Sequence, residues 1–123
     1  MELSQEVVSI NGVEYVRKDK VSDKAESLEG MPYQIVRTYS AGVFAGYVKS
    51  RNGQEVVMKN ARRLWYWSGA ASLSQLAEEG TSNPKDCKFP YEVNTITLTQ
   101  AVELLDVTAK AKASIASVAV WKA

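Results

Sequence analysis

The sequence predicts an α+β fold: a small antiparallel β-sheet with two or three short helices, preceded by an N-terminal β-hairpin. Three observations predict it. Two Asn-Gly pairs, Asn11-Gly12 and Asn52-Gly53, each lie between runs rich in β-branched and aromatic residues, the pattern of hairpin turns. A third alternating run, Val93-Asn94-Thr95-Ile96-Thr97-Leu98, returns late in the chain. Between and after these runs stand segments with helix-capping residues and an alanine-rich stretch. With 123 residues the chain has room for one packed core and not for two full domains.

In order, Val7-Val8-Ser9-Ile10 and Val13-Glu14-Tyr15-Val16-Arg17 flank Asn11-Gly12 and give the first hairpin, residues 1–18. Residues 19–30 are mostly charged and small, bury too little to fold by themselves, and read as a charged linker. Met31-Pro32 opens the main domain, residues 31–123. Residues 33–39, 43–50 and 54–59 read as three antiparallel strands, the last two joined at Asn52-Gly53. Gly42 and Gly46 inside or beside this sheet mark a bulge or a close neighbour. Asn60 is a cap for a short helical turn over residues 61–65. Ser72 with Gln75 has capping-box spacing for a helix over 73–79, stopped at Gly80. Residues 81–90, with two prolines, form a loop, and 93–98 return to the sheet. Residues 101–105 fit a helix face and a buried strand equally. Thr108 caps an alanine-rich helix over 109–117, and 118–121 close as a last short strand.

Composition excludes much chemistry. The chain has no His, which removes imidazole metal sites and His-dependent triads and dyads. Its one cysteine, Cys87, forms neither an internal disulfide nor a thiolate-rich metal site. No metal or cofactor is therefore expected. An acidic start, Met1-Glu2-Leu3-Ser4-Gln5-Glu6, and the absence of any long apolar run predict a cytoplasmic protein with no membrane segment. The net charge of +1 hides a polarity: residues 37–63 carry six basic side chains against Glu55 alone, and both flanks are acidic. A basic middle between acidic flanks points to a local anion site.

Two clusters fit such a site. In Asn60-Ala61-Arg62-Arg63-Leu64-Trp65-Tyr66-Trp67-Ser68-Gly69-Ala70, paired arginines precede two of the three tryptophans. Arginine grips phosphate bidentately, and tryptophan stacks on a base. The same residues also suit a short helix anchored to the sheet by Leu64, Trp65 and Trp67, with Arg62 and Arg63 solvated. In Arg37-Thr38-Tyr39-Ser40-Ala41-Gly42, a basic residue and three hydroxyls stand at a strand exit, which serves equally as an anion contact or as a plain turn. The candidate ligand-binding residues are Arg37, Tyr39, Ser40, Arg62, Arg63, Trp65 and Trp67. No catalytic residues are expected: Glu78 and Glu79 point apart, Glu103 and Asp106 have no partner nucleophile, and Cys87 is a lone loop cysteine.

The strings Ile35-Val36-Arg37-Thr38-Tyr39-Ser40-Ala41-Gly42-Val43, Gly46-Tyr47, Asn60-Ala61-Arg62-Arg63-Leu64-Trp65, Trp67-Ser68-Gly69-Ala70 and Ile96-Thr97-Leu98-Thr99 carry a resemblance over residues 31–107. On these the chain resembles a family of small uncharacterised tailed-phage and prophage proteins, a domain of unknown function. That family supplies no catalytic residues. It implies a small protein made in the cytoplasm of a bacterial host, a context in which homo-oligomeric proteins sequester nucleotide immune signals. The expectation is thus a non-enzymatic, homo-oligomeric binder of a nucleotide-like, phosphate-bearing ligand. The alternative is an interaction module or inhibitor acting on a host or phage protein, where Trp, Tyr and Arg are also the favoured anchors. Near-neutral net charge disfavours nucleic acid as the partner.

Overall fold

Strand β1 (Tyr33–Thr38), β2 (Val43–Asn52) and β3 (Glu55–Arg63) form an antiparallel meander, and β4 (Glu92–Leu98) and β5 (Ala101–Asp106) complete a five-stranded sheet in the order β4-β3-β2-β1-β5. Helices α1 (Leu73–Glu79) and α2 (Ala109–Ala116) and a 3-10 turn (Pro84–Asp86) lie outside it. The fold is α+β. This computed structural model describes residues 23–123, so the expected hairpin over 1–18 lies outside the described residues. Of residues 23–30, expected as the end of a linker, Asp23 to Ala25 contact the domain: Ala25 is buried, its N–H donates to the Val107 carbonyl at 2.9 Å, and the Ala109 N–H donates to Asp23 at 2.6 Å, while residues 26–30 are exposed.

The sheet is curled. Its edge strands β4 and β5 stand four strand spacings apart, yet only Thr99 and Gln100 join them. Four spacings in a flat sheet are roughly 19 Å, whereas three Cα steps reach at most about 11 Å. The edges must therefore meet at that end, giving a partly closed barrel. Two bonds confirm the curvature: the Tyr39 N–H donates to Gln100 at 2.9 Å, and the Ala101 N–H donates to Gln54 at 3.0 Å. The connector thus touches both the β1–β2 corner and the β2–β3 turn, which lie at opposite ends of β2.

Curling gives the sheet two apolar sides. Val36, Phe44, Val48, Val56, Met58, Ala61, Leu98 and Ala101 fill the concave interior. Ile35 and Ala45 face outward, where Leu76 and Ala77 of α1, Ala111 and Ile115 of α2, Cys87 and Phe89 cover them. A large side chain buried this fully stabilises by roughly 1.5–3 kcal/mol relative to exposure.

Bulges supply the bend. Val48 pairs with Met58 and Ser50 with Val57, which leaves Lys49 as an extra residue in β2. In the other direction, Ala45 pairs with Arg62 and Tyr47 with Lys59, so Asn60 and Ala61 together oppose Gly46. A Cβ on Gly46 would lie 2.7 Å from the Ala61 Cα, so the glycine is what admits the bulge. Asn60 does not cap a helix; its φ of 50° is the left-handed conformation of the bulge, and residues 61–63 continue as strand.

The remaining elements follow their caps. Ser72 Oγ accepts from the Gln75 N–H at 3.1 Å, while Gln75 Oε1 accepts from Ala71 N–H at 2.8 Å; Gly80, with φ 79°, ends α1. Thr108 Oγ1 accepts from the Ala111 N–H at 3.0 Å and opens α2. Residues 101–105 are strand, paired with β1. The expected strand over 118–121 is reduced to a single parallel bridge between Val120 and Phe89. The β2–β3 loop consists of Gly53 and Gln54, one residue later than the Asn-Gly pair implies. Asn52 still pairs with Glu55, and only Gly53 takes positive φ, at 63°.

Candidate functional site

The bulge at Asn60 decides where the paired arginines point. Met58 faces the barrel interior, and strict alternation would send Arg62 to the same side. The extra residue shifts the phase by one, so Ala61 faces inward and Arg62 turns out beneath the helices. Arg63 returns to the Phe44 side, its guanidinium carbon 4.6 Å from the centre of that ring.

Arg62 is 8% exposed and is held almost entirely by main-chain acceptors. Its Nε donates to Pro90 at 3.1 Å, Nη1 to Ile115 at 3.0 Å, and Nη2 to Phe89 at 3.1 Å and Val118 at 2.7 Å, all carbonyl oxygens. Burial pushes its pKa down, with Tyr33 and Glu92 opposing, but guanidinium titrates far above neutrality and the side chain stays charged. Four of its five N–H donors are therefore spent on the loop before β4 and on the end of α2. This corrects the sequence expectation: Arg62 is a strut that bonds helix-end and loop carbonyls, with no fork left for phosphate.

The other candidates separate into two regions. Arg37, Tyr39, Ser40 and Arg63 lie around the β1–β2 corner. Arg37 Nε donates to Glu103 at 2.7 Å in an exposed ion pair, Ser40 Oγ donates to Gln100 at 3.0 Å, and Tyr39 is exposed. A Cβ on Gly42 would meet Arg63 Nε at 3.8 Å, which places Arg63 beside that corner. Trp67 is half-buried against the helix-covered core, as the structural reading of the Trp pair expects.

Trp65 is different, since it is 62% exposed and stacks with Trp121, their rings 6.4 Å apart and 6° from parallel. The Lys88 ammonium lies 5.7 Å from the Trp121 ring and 5.8 Å from that of Tyr66, and Lys122 lies 5.9 Å from that of Tyr91. Tyr66 and Tyr91 are themselves exposed. The fold brings these residues together through main-chain pairs: Tyr66 bridges Lys88, Val120 bridges Phe89, and the Trp121 N–H donates to Phe89 at 3.0 Å. Trp121, Tyr66, Lys88 and Tyr91 were not among the sequence candidates. Tyr66 stands inside the singled-out run 60–70, but nothing in the spacing placed Trp121, Lys88 or Tyr91 beside Trp65.

Elsewhere, a cleft of about 220 Å³ is lined by Asp23, Lys24, Glu78, Asp106, Val107 and Thr108. Its three carboxylates against one ammonium make it unsuited to an anion. There Asp106 accepts from Gln34 at 2.8 Å and faces Lys24 at 3.3 Å, and these contacts, the Gln34 hydrogen bond foremost, hold its carboxyl below the usual range. Cys87 is buried, its thiol directed at the Ser68 carbonyl 3.5 Å away, which is a packing role. Among the described residues no group of His, Cys, Asp and Glu has metal-ligating geometry, and no helix is long and apolar enough to cross a membrane.

Comparison with known families places the chain. Residues 31–115 match the profile of a domain of unknown function (DUF6948), and the chain belongs to that family. No curated protein and no solved structure matches it.

Proposed function

From membership of a family without an assigned activity, we propose that this protein is a non-enzymatic binding module that occupies the surface of another protein. Its working face is the patch of Trp65, Trp121, Tyr66 and Tyr91 laced with Lys88 and Lys122. The carrying observation is the Trp65–Trp121 stack, which is exposed although its neighbours Leu64 and Phe89 are buried. Two indoles held in water against one another leave apolar area uncovered, and aromatic side chains with a cationic rim are favoured anchors at protein interfaces. Lysines over the rings keep the face soluble and select a partner with acidic groups at its rim. The stack is also too close to sandwich a base, which needs about 7 Å between flanking planes at van der Waals contact. The setting that goes with this reading is the cytoplasm of a bacterial host, with a tailed phage or prophage as the source.

A second reading keeps the nucleotide-like ligand, such as a bacterial immune signal, and rests on the β1–β2 corner. There Arg63, Arg37, Ser40 and Tyr39 surround an open turn, and Arg63 has no carboxylate partner among the described residues. One pair of experiments separates the two. Capture from a bacterial lysate with the wild-type chain, repeated with Trp65→Ala and Trp121→Ala, should recover a defined protein that both variants lose. Calorimetric titration with cyclic and linear nucleotides should show no binding. Micromolar nucleotide affinity that disappears in Arg63→Ala would reverse the order of the two readings.

A further inference from the structure

The two edges of the curled sheet are finished differently. On β5, Glu103 and Asp106 place charge on the strand, and the chain at Lys24 and Ala25 continues the pairing just beyond it, at Val107 and Thr108. Charge and cover are the usual guards against unwanted strand pairing. Strand β4, Glu92-Val93-Asn94-Thr95-Ile96-Thr97-Leu98, has one charge, at its first residue, and among the described residues no cover. Among the described residues it pairs only with β3, and it carries no proline, no lysine and no bulge. After Glu92 its composition is β-branched, amide and leucine, and residues 93, 94, 95 and 97 are exposed. An edge of seven residues with unpaired N–H and C=O groups is a template for another strand.

The order of residues says which strand. Folded about its midpoint, β4 is complementary to itself. In an antiparallel pairing with a two-fold axis at Thr95, Thr95 faces Thr95 of a second copy, Val93 faces Thr97, Asn94 faces Ile96, and Glu92 faces Leu98. No like charges meet, and Thr–Thr and Val–Thr are favourable cross-strand pairs. Lys59, whose ammonium donates to Thr95 Oγ1 at 2.8 Å, sits on the neighbouring strand. The two Lys59 backbones would be separated by three strand spacings, roughly 14 Å, and on pairing each ammonium swings from Thr95 into solvent, where the repulsion between the two is screened. We propose that this protein forms a two-fold homodimer by antiparallel β4–β4 pairing centred on Thr95, joining two five-stranded sheets into one of ten strands. The interface is isologous and closes at two copies.

The register makes the test specific. Directly opposite residues in an antiparallel pair lie about 4.5–5.5 Å apart at Cα, within disulfide reach, whereas a residue two positions off the axis meets its own copy at more than about 10 Å. Thr95→Cys should therefore cross-link to itself under mild oxidation. Thr97→Cys alone should not, and a mixture of Thr97→Cys with Val93→Cys should. By sedimentation the wild-type chain should have twice the monomer mass of 13.6 kDa. Thr95→Lys, a change at an exposed position opposite Lys59, should leave the monomer folded with a slightly lower melting temperature and weaken the dimer at least tenfold by adding two ammonium groups on the axis. A wild-type monomer at about 100 μM, where strand-mediated dimers of even modest affinity form, overturns the proposal. So does a dimer dissociated by Trp65→Ala and not by Thr95→Lys, or one that cross-links through Thr97→Cys alone.

Discussion

Arg62 and Phe89 are joined twice: the guanidinium lies 5.4 Å from the centre of the phenyl ring and donates a 3.1 Å hydrogen bond to the carbonyl of the same residue. Through that contact and the bonds to Pro90, Ile115 and Val118, one side chain of β3 fixes the path of the chain before β4 and the end of α2.

The first prediction concerns stability at the two arginines. Removing Arg62 takes the donor from the Pro90 and Val118 carbonyls and a second donor from those of Phe89 and Ile115, so Arg62→Ala should destabilise by about 2 kcal/mol or more. Arg62→Lys should recover only part, because a single ammonium cannot reach four acceptors spread around a planar fork. Arg63→Ala, which loses one exposed cation–π contact, should cost about 1 kcal/mol or less. Urea unfolding of the three variants checks this, and equal losses at 62 and 63 would contradict the burial of Arg62.

The second prediction concerns the device that separates those arginines. Gly46→Ala drives a methyl into the Ala61 backbone and the Asn60 carbonyl and should cost about 1–3 kcal/mol. Asn60→Gly fits the positive φ and should be nearly neutral, while Asn60→Val is strained there and should cost about 1–3 kcal/mol. If Asn60→Val melted with the wild type, residue 60 would not adopt the left-handed conformation.

Local signals made most of this fold legible. Alternation and turn residues marked β1 to β4, and Ser72, Gly80 and Thr108 marked the helix ends, because caps and turns depend on neighbouring residues. The failure at residues 61–65 has a physical cause. Asn60 is equally suited to a helix N-cap and to the left-handed position of a bulge, and only the pairing with Gly46, a tertiary contact, selects the bulge. The same phase shift hid the fate of Arg62, since which face a strand residue occupies reverses with every extra residue. Trp65 and Trp121 are 56 positions apart, and no local pattern reports that they stack.

The third prediction separates the tryptophans. Trp67 packs against the helix-covered core, so Trp67→Ala should destabilise by about 2 kcal/mol or more. Trp65→Ala and Trp121→Ala each lose one exposed stacking contact and should cost about 0.5–1.5 kcal/mol. Fluorescence should agree: acrylamide should quench Trp65 and Trp121 readily and Trp67 poorly, read from the variants that keep one indole at a time. A Trp65 protected from acrylamide in the free protein would remove the exposed face from the functional reading.

The last prediction is a pH dependence at Asp106. Gln34 and Lys24 hold its carboxyl below the usual range in the folded chain, while in the unfolded chain it titrates near the ordinary value of about 3.9. The folded state therefore binds this proton less readily, and the contact stabilises fully above about pH 5. As pH falls the unfolded chain takes up the proton first and the stabilisation declines, until it vanishes below the folded value. Both partners of the Lys24–Asp106 pair are more than half exposed, so solvent screening limits the contribution to under about 1 kcal/mol. Asp106→Asn should thus be slightly less stable than the wild type at pH 7, and the gap should narrow as the pH falls below about 4. Salt should narrow the gap at pH 7 as well, because an exposed pair is screened. Parallel urea titrations of the two chains across this range provide the measurement, and a gap that widened on acidification would assign the low carboxyl pKa to some other group.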